Sequence, residues 1–323
     1  MGCGSGIILR HLAPRCTRYT GTDFSAEAIR LLREAVTADP TLQHVQAFEA
    51  AATDAPRHGH DRYDVVLINS VVQYFPDVAY LSTVLSGAIA VTADNGHVFL
   101  GDIRHRGLRR AGHLVTVLDG LPGEATVQHG RTALRRTLDA DGELCCSPRK
   151  LADLITALGV RCTVVALVRR GRQPTTMNRF RYDFVLSLGE RPNPESGREL
   201  DWATLATGSA NPLRVLTTLL ADDTSSLVVR AIPDLRTIDA EWLLEAFDNA
   251  SAETPISTLM TDLTVPPGVD PEDIWSVGEA AGLGVAVSPG ATAGYVDVAF
   301  SPDPDPWAAA RLLDIAPSDQ PTR

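Results

Sequence analysis

The chain has 323 residues, 44% apolar and 21% charged, with a formal net charge of −11. Such a composition suits a folded soluble protein of roughly two domains, and the acidic balance argues against non-specific nucleic-acid binding, which needs a basic surface to neutralise phosphates. Apolar runs fall short of the ~18–20 residues that span a bilayer, and the five cysteines (Cys3, Cys16, Cys145, Cys146, Cys162) form no C-x-x-C pair for zinc. Their odd count, without a signal peptide, points to a reducing cytoplasm.

The elements follow in order. A glycine turn, Gly2-Cys3-Gly4-Ser5-Gly6, runs into a short helix over Ile7–His11. Arg18–Asp23 reads as a strand ending in an acid. Ser25 is an N-cap for a helix over Ala26–Val36, whose apolar residues keep helical spacing. His44–Phe48 is a further short strand. Val65–Ile68 is a continuous apolar run, as expected of a strand buried on both faces of a parallel sheet. A loop, Asn69–Pro76, closes it. A helix around Tyr80–Ala90 and a strand over His97–Leu100 come next, ending on Gly101-Asp102-Ile103-Arg104.

Ser147 caps a helix over Pro148–Leu158. Strands over Arg161–Val168 and Arg181–Leu188 read as an antiparallel pair. The alternation predicts an α/β fold with a mostly parallel sheet and an antiparallel edge strand. The polar stretch from Gly189 to Gly197, rich in Pro and Gly, marks a boundary between a first domain (1–190) and a C-terminal α/β region (198–323). In that region the patterns give helices over Pro212–Leu220, Ala240–Phe247 and Pro271–Ala281, with Asp270 as the last one's cap. Strands are expected at Leu227–Ile232, Val285–Ser288 and Tyr295–Phe300, and Ala316–Arg323 is expected to fray. No internal repeat is evident.

Several groups carry chemistry. A glycine turn at a strand-to-helix junction lets backbone approach a nucleotide, and an acid about twenty residues on accepts hydrogen bonds from ribose hydroxyls. Gly2, Gly4 and Asp23 have that relation, but Ile7 stands where a dehydrogenase needs a third glycine. The amide and aromatic residues of Asn69–Pro76 fall where open α/β sheets bind ligands, beyond the strand carboxyl ends. Asp102 ends the next strand on the same edge. Six arginines (Arg106, Arg109, Arg110, Arg131, Arg135, Arg136) make the following segment basic, either a solvated helix face or a docking surface for an acidic partner. The histidines His58, His60, His105, His113 and His129 have no metal spacing, and no metal site is expected.

Taken together, Gly2–Gly6, Gly21-Thr22-Asp23-Phe24-Ser25, Asn69–Pro76, Gly101–Arg104 and Asn178-Arg179-Phe180-Arg181-Tyr182-Asp183 resemble the methyltransferase domains embedded in nonribosomal peptide synthetases. The resemblance covers roughly 1–190. Ala231–Arg236 and Gly268–Trp275 are similar to the region that follows such domains. It implies a Rossmann-like class I methyltransferase sheet and S-adenosyl-L-methionine as cofactor. The methyl acceptor it implies is the amine of an aminoacyl group on a carrier protein, or a related small molecule of secondary metabolism. Gly2 and Gly4 would face the methionine moiety, Asp23 the ribose, Phe24 the adenine, and Asp54 the adenine amine. Asn69 and Ser70 would line the sulfonium end and Tyr74 the acceptor. Asp102, His105 or the Tyr74 hydroxyl would take the proton of the attacking amine.

The family has a strand ending in an acid just before the glycines. Here Met1 holds the acid's place. An N-terminally truncated sheet is therefore expected, with two strands lacking partners along their facing sides. The alternative is a non-catalytic remnant serving as a folded scaffold or partner-binding module.

Overall fold

The computed structural model describes residues 1–58, 62–189, 197–207, 211–223 and 225–315. His60, most of the expected linker and the terminal Ala316–Arg323 lie outside the described residues.

The chain divides into two compact units. The first comprises Met1–Asp102 with Leu154–Cys162 and Val185–Glu190; the second comprises Ile103–Asp153, Thr163–Phe184 and Arg191–Arg323. In chain order, α1 (Ile7–Leu12) follows the glycine turn, then β1 (Tyr19–Asp23), α2 (Ala26–Ala38) and β2 (Val45–Glu49). The Ser25 hydroxyl accepts from Ala28 N at 3.2 Å, the N-cap that the sequence predicts. Ile29 and Leu32 are the buried stripe of α2; with Leu9, Val45 and Ala47 they form one apolar cluster. β1 and β2 are parallel, Tyr19 to Asp23 against Val45 to Glu49.

β3 (Tyr63–Asn69), α3 (Val78–Ala90) and β4 (Thr92–Arg104) make the next unit of the alternation. Asp77 caps α3 through Tyr80 N. β3 and β4 are parallel, with Asn69 opposite Gly101. After β4 come α4 (Arg109–Asp119), α5 (Val127–Ala140), α6 (Pro148–Ala157), β5 (Cys162–Val168), α7 (Thr176–Arg179) and β6 (Arg181–Leu188). The sheet order is β3-β4-β6-β5, so β6 lies inside the sheet and β5 at its edge.

The C-terminal region holds β7 (Arg198–Asp201), α8 (Trp202–Ala206), α9 (Pro212–Asp222), β8 (Leu227–Pro233), α10 (Ile238–Asn249), α11 (Ile256–Asp262), α12 (Pro271–Ala280), β9 (Gly284–Pro289), β10 (Tyr295–Ser301) and α13 (Pro306–Leu312). Its sheet runs β7-β8-β10-β9, with β7 and β8 parallel and β10 antiparallel to both neighbours. Trp275, Ile232, Val298 and Phe300 centre its core. The fold is α/β, as the alternation predicts, and of the Rossmann-like type that the resemblance implies.

One break in the first unit bears on the site. Among the described residues β1 is sheeted with β2 alone, and β3 has β4 as its one neighbour. A cavity of about 490 Å³ lies between them, lined by Tyr19, Thr20 and Thr22 of β1 and by Tyr63–Leu67 of β3. The Tyr63 hydroxyl donates to Thr20 Oγ1 across it at 2.9 Å, and the start of the chain bridges it at the carboxyl end. The Met1 amine donates to Leu67 O at 2.7 Å, and Cys3 N donates to Thr22 O at 2.9 Å.

Candidate active site

The first unit carries most of the predicted site. Gly2, Gly4 and Gly6 all have positive φ, a conformation that side chains resist. A Cβ at Gly2 would meet Val71 at 2.4 Å, and one at Gly6 would meet Leu32 at 2.6 Å, so both are packing glycines. A Cβ at Gly4 would meet nothing within 4 Å, so Gly4 presents bare backbone outward.

Asp23 binds this turn directly. One carboxylate oxygen accepts from Gly4 N at 2.8 Å and the other from Ser25 N at 2.9 Å. The side chain is 8% exposed. The predicted ribose acid thus first holds the shape of the turn, and its remaining lone pairs are what a ribose would use. Phe24 beside it is 82% exposed. Asp54 pairs with Arg57 at 2.8 Å, and His58 stacks on Phe48.

The second cluster lies at the carboxyl ends of β3 and β4. Asn69 Nδ2 donates to Ser70 Oγ, and Ser70 Oγ donates to Asp102 Oδ2, each at 2.9 Å. Ser70 and Asp102 both have positive φ, at 57° and 65°. L-residues pay about 1–2 kcal/mol for that conformation, and such strain gathers at functional sites. Gly101 is required here, since a Cβ would lie 2.0 Å from Asn69 Oδ1. Asp102 is 1% exposed, a buried carboxylate at the strand end.

Tyr74 ends a 3-10 turn over Val72–Tyr74 and is 71% exposed, while its neighbour Gln73 is buried. Gln73 Oε1 has no hydrogen-bond partner among the described residues. Sequence reasoning did not single Gln73 out; an amide in a strand-end loop was the only signal. A cavity of about 290 Å³ takes in Gly2, Gly4 and Asn69. Asp23, Phe24, Asp54, Ser70 and Tyr74 line neither it nor the larger gap. Both cavities share Met1, Tyr19, Thr20 and Leu67, so they flank the β1–β3 gap, while the strand ends open beside them.

His105 belongs to the second unit. Its ring stands edge-on to Tyr182, centroids 5.5 Å apart, and its Nδ1 accepts from Leu108 N at 3.3 Å. Burial pushes its pKa down to about 4, so the imidazole is neutral at pH 7. Asp141, which sequence reasoning missed, is a hub. It accepts from Arg104 at 2.7 Å, from Arg109 at 2.9 Å, and contacts His113 at 2.7 Å. Burial alone would raise its pKa, but hydrogen bonds from Arg104, His113 and Arg109 outweigh that and hold the carboxyl well below its usual range. Its partners lie far off in sequence, with no motif linking them.

The basic segment is largely spent inside the unit. Arg110 forms a two-pronged pair with Asp248, and Arg131 donates to the carbonyls of Phe247, Asp248 and Ala250. Arg109 is held on Asp141.

Residues 1–98 match the family model of methyltransferase domains. The chain is 29% identical over 280 residues to the chondramide synthase of Chondromyces crocatus, covering 86% of this chain and 7% of that protein. It is 28% identical over 352 residues to the enniatin synthase of Fusarium equiseti, covering 100% of this chain and 11% of that protein. Residues 1–98 are thus a methyltransferase domain, in a chain similar to peptide synthetases. It spans about a tenth of the length of these relatives. Among solved structures, the N-methyltransferase NodS from Bradyrhizobium japonicum, in complex with S-adenosyl-L-homocysteine, is 17% identical with a TM-score of 0.39, covering 58% of this chain and 76% of that one. S-adenosyl-L-methionine is the cofactor of such methyltransferase domains. The residues fit it: a glycine turn with bare backbone at Gly4 sits against a buried acid, Asp23. Among the described residues no helix of the methyltransferase chain is long and apolar enough to cross a membrane.

Proposed function

We propose that this chain transfers a methyl group from S-adenosyl-L-methionine to the amine of an aminoacyl group held on a carrier protein, or of a related small molecule. Its setting is cytoplasmic secondary metabolism. The Asp23 clamp on the glycine turn is the observation that carries the reading. The cofactor supplies a methyl carbon already activated by positive sulfur, so the protein's task is to hold donor and nucleophile in line. Gly2 and Gly4 would face the methionine moiety, Asp23 would take the ribose, Phe24 and Asp54 the adenine, and Asn69 and Ser70 the sulfonium end.

The amine must be neutral to attack, so its ammonium form must first give up a proton. Asp102 is the base we favour, since its carboxylate is buried at the strand end and held by Ser70 Oγ. The exposed Tyr74 orients the acceptor as it enters. His105, with Nδ1 already accepting from Leu108 N, is the weaker candidate. Protonation of the Asp102 carboxylate balances the step: one N–C bond forms, one S–C bond breaks, and the ammonium proton ends on oxygen.

A second reading is a folded partner-binding module without cofactor. The 490 Å³ gap beside β3 favours it, because unpaired strand edges weaken the aim of the glycine turn. Methyl transfer from labelled S-adenosyl-L-methionine to an aminoacyl-loaded carrier separates the two. Label on the amine supports the enzyme; neither cofactor binding nor transfer by a chain shown to be folded leaves only the module reading.

A further inference from the structure

We infer that residues 198–301 are a second copy of the half-fold formed by residues 63–188, with its ligand edge closed, kept as the docking partner of the α4–α5 helices. The sheets run β3-β4-β6-β5 and β7-β8-β10-β9, the same order with each strand replaced by its counterpart. Between them the elements match but for one helix in each: strand, helix, strand, three helices, then two strands, with a second helix (α8 and α9) before β8 and the short α7 between β5 and β6. The register agrees at the ligand edge, where Asn69 faces Gly101 and Asp201 faces Arg230. One step on, Asp102 and Ala231 both have positive φ, at 65° and 57°.

Spacing agrees down the chain. From Asp102 and from Ala231 the same number of residues leads to Leu114 and Leu243, to Asp119 and Asp248, and to Val127 and Ile256. Ser147-Pro148 opens α6 and Asp270-Pro271 opens α12. Each is followed at equal distance by a left-handed glycine, Gly159 at φ 67° and Gly282 at φ 73°. Isolated parallel bridges recur as well, His105 with Cys146 and Asp234 with Val269.

The two helix pairs meet about a local two-fold. Val127 N donates to Thr254 O, and Ile256 N donates to Ala125 O, both at 2.9 Å, flanking an antiparallel bridge between Thr126 and Pro255. Such reciprocity is what a self-complementary interface requires. Leu114, Val127 and Leu134 pack there with their counterparts' neighbours Leu243, Phe247 and Leu259. A cavity of about 20 Å³ is lined by counterparts from both copies: His105 and Asp234, Leu108 and Thr237, Tyr182 and Val296.

The second copy lacks the chemistry. Arg230 and Ala231 stand where Gly101 and Asp102 stand, and Asp201 caps α8 through Ala203 N. Calling that edge a ligand edge rests on the methyltransferase reading; the docking does not.

The seam gives a test that uses the full chain and no cofactor. A Cβ on Gly130 would lie 2.8 Å from the Phe247 ring. The counterparts of Gly130 and Phe247 are Leu259 and Leu118, members of the same apolar cluster, so Gly and Phe in one pair correspond to Leu and Leu in the other. Gly130→Leu alone is expected to lower Tm by about 5 °C or more. Adding Phe247→Leu makes the two sides alike and should recover more than half of that loss. Where Gly130→Leu does not fold, Gly130→Ala with and without Phe247→Leu carries the same comparison. A double variant no more stable than the sum of its parts, or a single Gly130 substitution without effect, overturns the inference.

Discussion

The carboxyl ends of β3–β4 and of β7–β8 share a backbone and differ in almost every side chain. In the first, Asn69, Ser70, Gly101 and Asp102 form a hydrogen-bonded chain with two strained residues. In the second, the strain persists at Ala231, but Arg230 turns to Glu199 and Asp297. The free strand edges differ as well. β7 reads Arg198-Glu199-Leu200-Asp201, the charged composition that protects an open edge. β3 carries Val65-Val66-Leu67, with Val65 54% exposed against the gap. The fold therefore supplies geometry to both halves, which differ in the side chains that the strained positions carry.

The comparison breaks most readily at Gly101. Gly101→Ala drives a Cβ into Asn69 Oδ1 and should cost about 10²-fold in kcat through misplacement of the Asn69–Ser70–Asp102 chain. Arg230→Ala, at the matching position, should leave kcat within about twofold, since its ion pairs are partly exposed and worth little. Equal losses at the two sites, measured by steady-state methyl transfer, contradict the contrast. Asp102→Asn should lower kcat by about 10²-fold with cofactor affinity kept, as loss of a proton acceptor predicts. If affinity falls instead and kcat holds, Asp102 is a binding residue.

A third effect concerns acid stability. The folded Asp141 carboxyl lies below its unfolded range, so its contribution is present above about pH 4 and is lost as pH falls through that value toward the folded pKa. Between pH 6 and pH 3 the Tm of the unaltered chain should fall more steeply than that of Asp141→Asn; parallel curves contradict this. The smallest effect is at Ala231→Gly. Relief of the left-handed strain should raise Tm by about 2 °C, while Asp102→Gly at the matching position removes activity.

Much of this was legible in sequence. Gly4 with Asp23, the Ser25 cap, and strands β1 to β4 follow from spacing and composition, because each is set by local chemistry within a few residues or one βα unit. The expected lack of partners along β1 and β3 also appears, as the gap between them. What was not legible depends on distant partners. The Asp141 hub joins Arg104, Arg109 and His113 across a helix pair, and no motif announces it. The insertion of β6 between β4 and β5 is a matter of sheet order, which alternation does not specify. The repeat escaped notice because its copies share few identical residues; what they retain is the left-handed positions, the Pro at the α6 and α12 starts, and spacing.

Binding of S-adenosyl-L-methionine to the full chain, measured by calorimetry, tests the central claim most directly. The account predicts heat with one site per chain, abolished by Asp23→Ala and untouched by Ala231→Gly, because only the first half-fold is joined to a glycine turn and its acid. Absence of heat from a chain shown to be folded, or binding that survives Asp23→Ala unchanged, contradicts it.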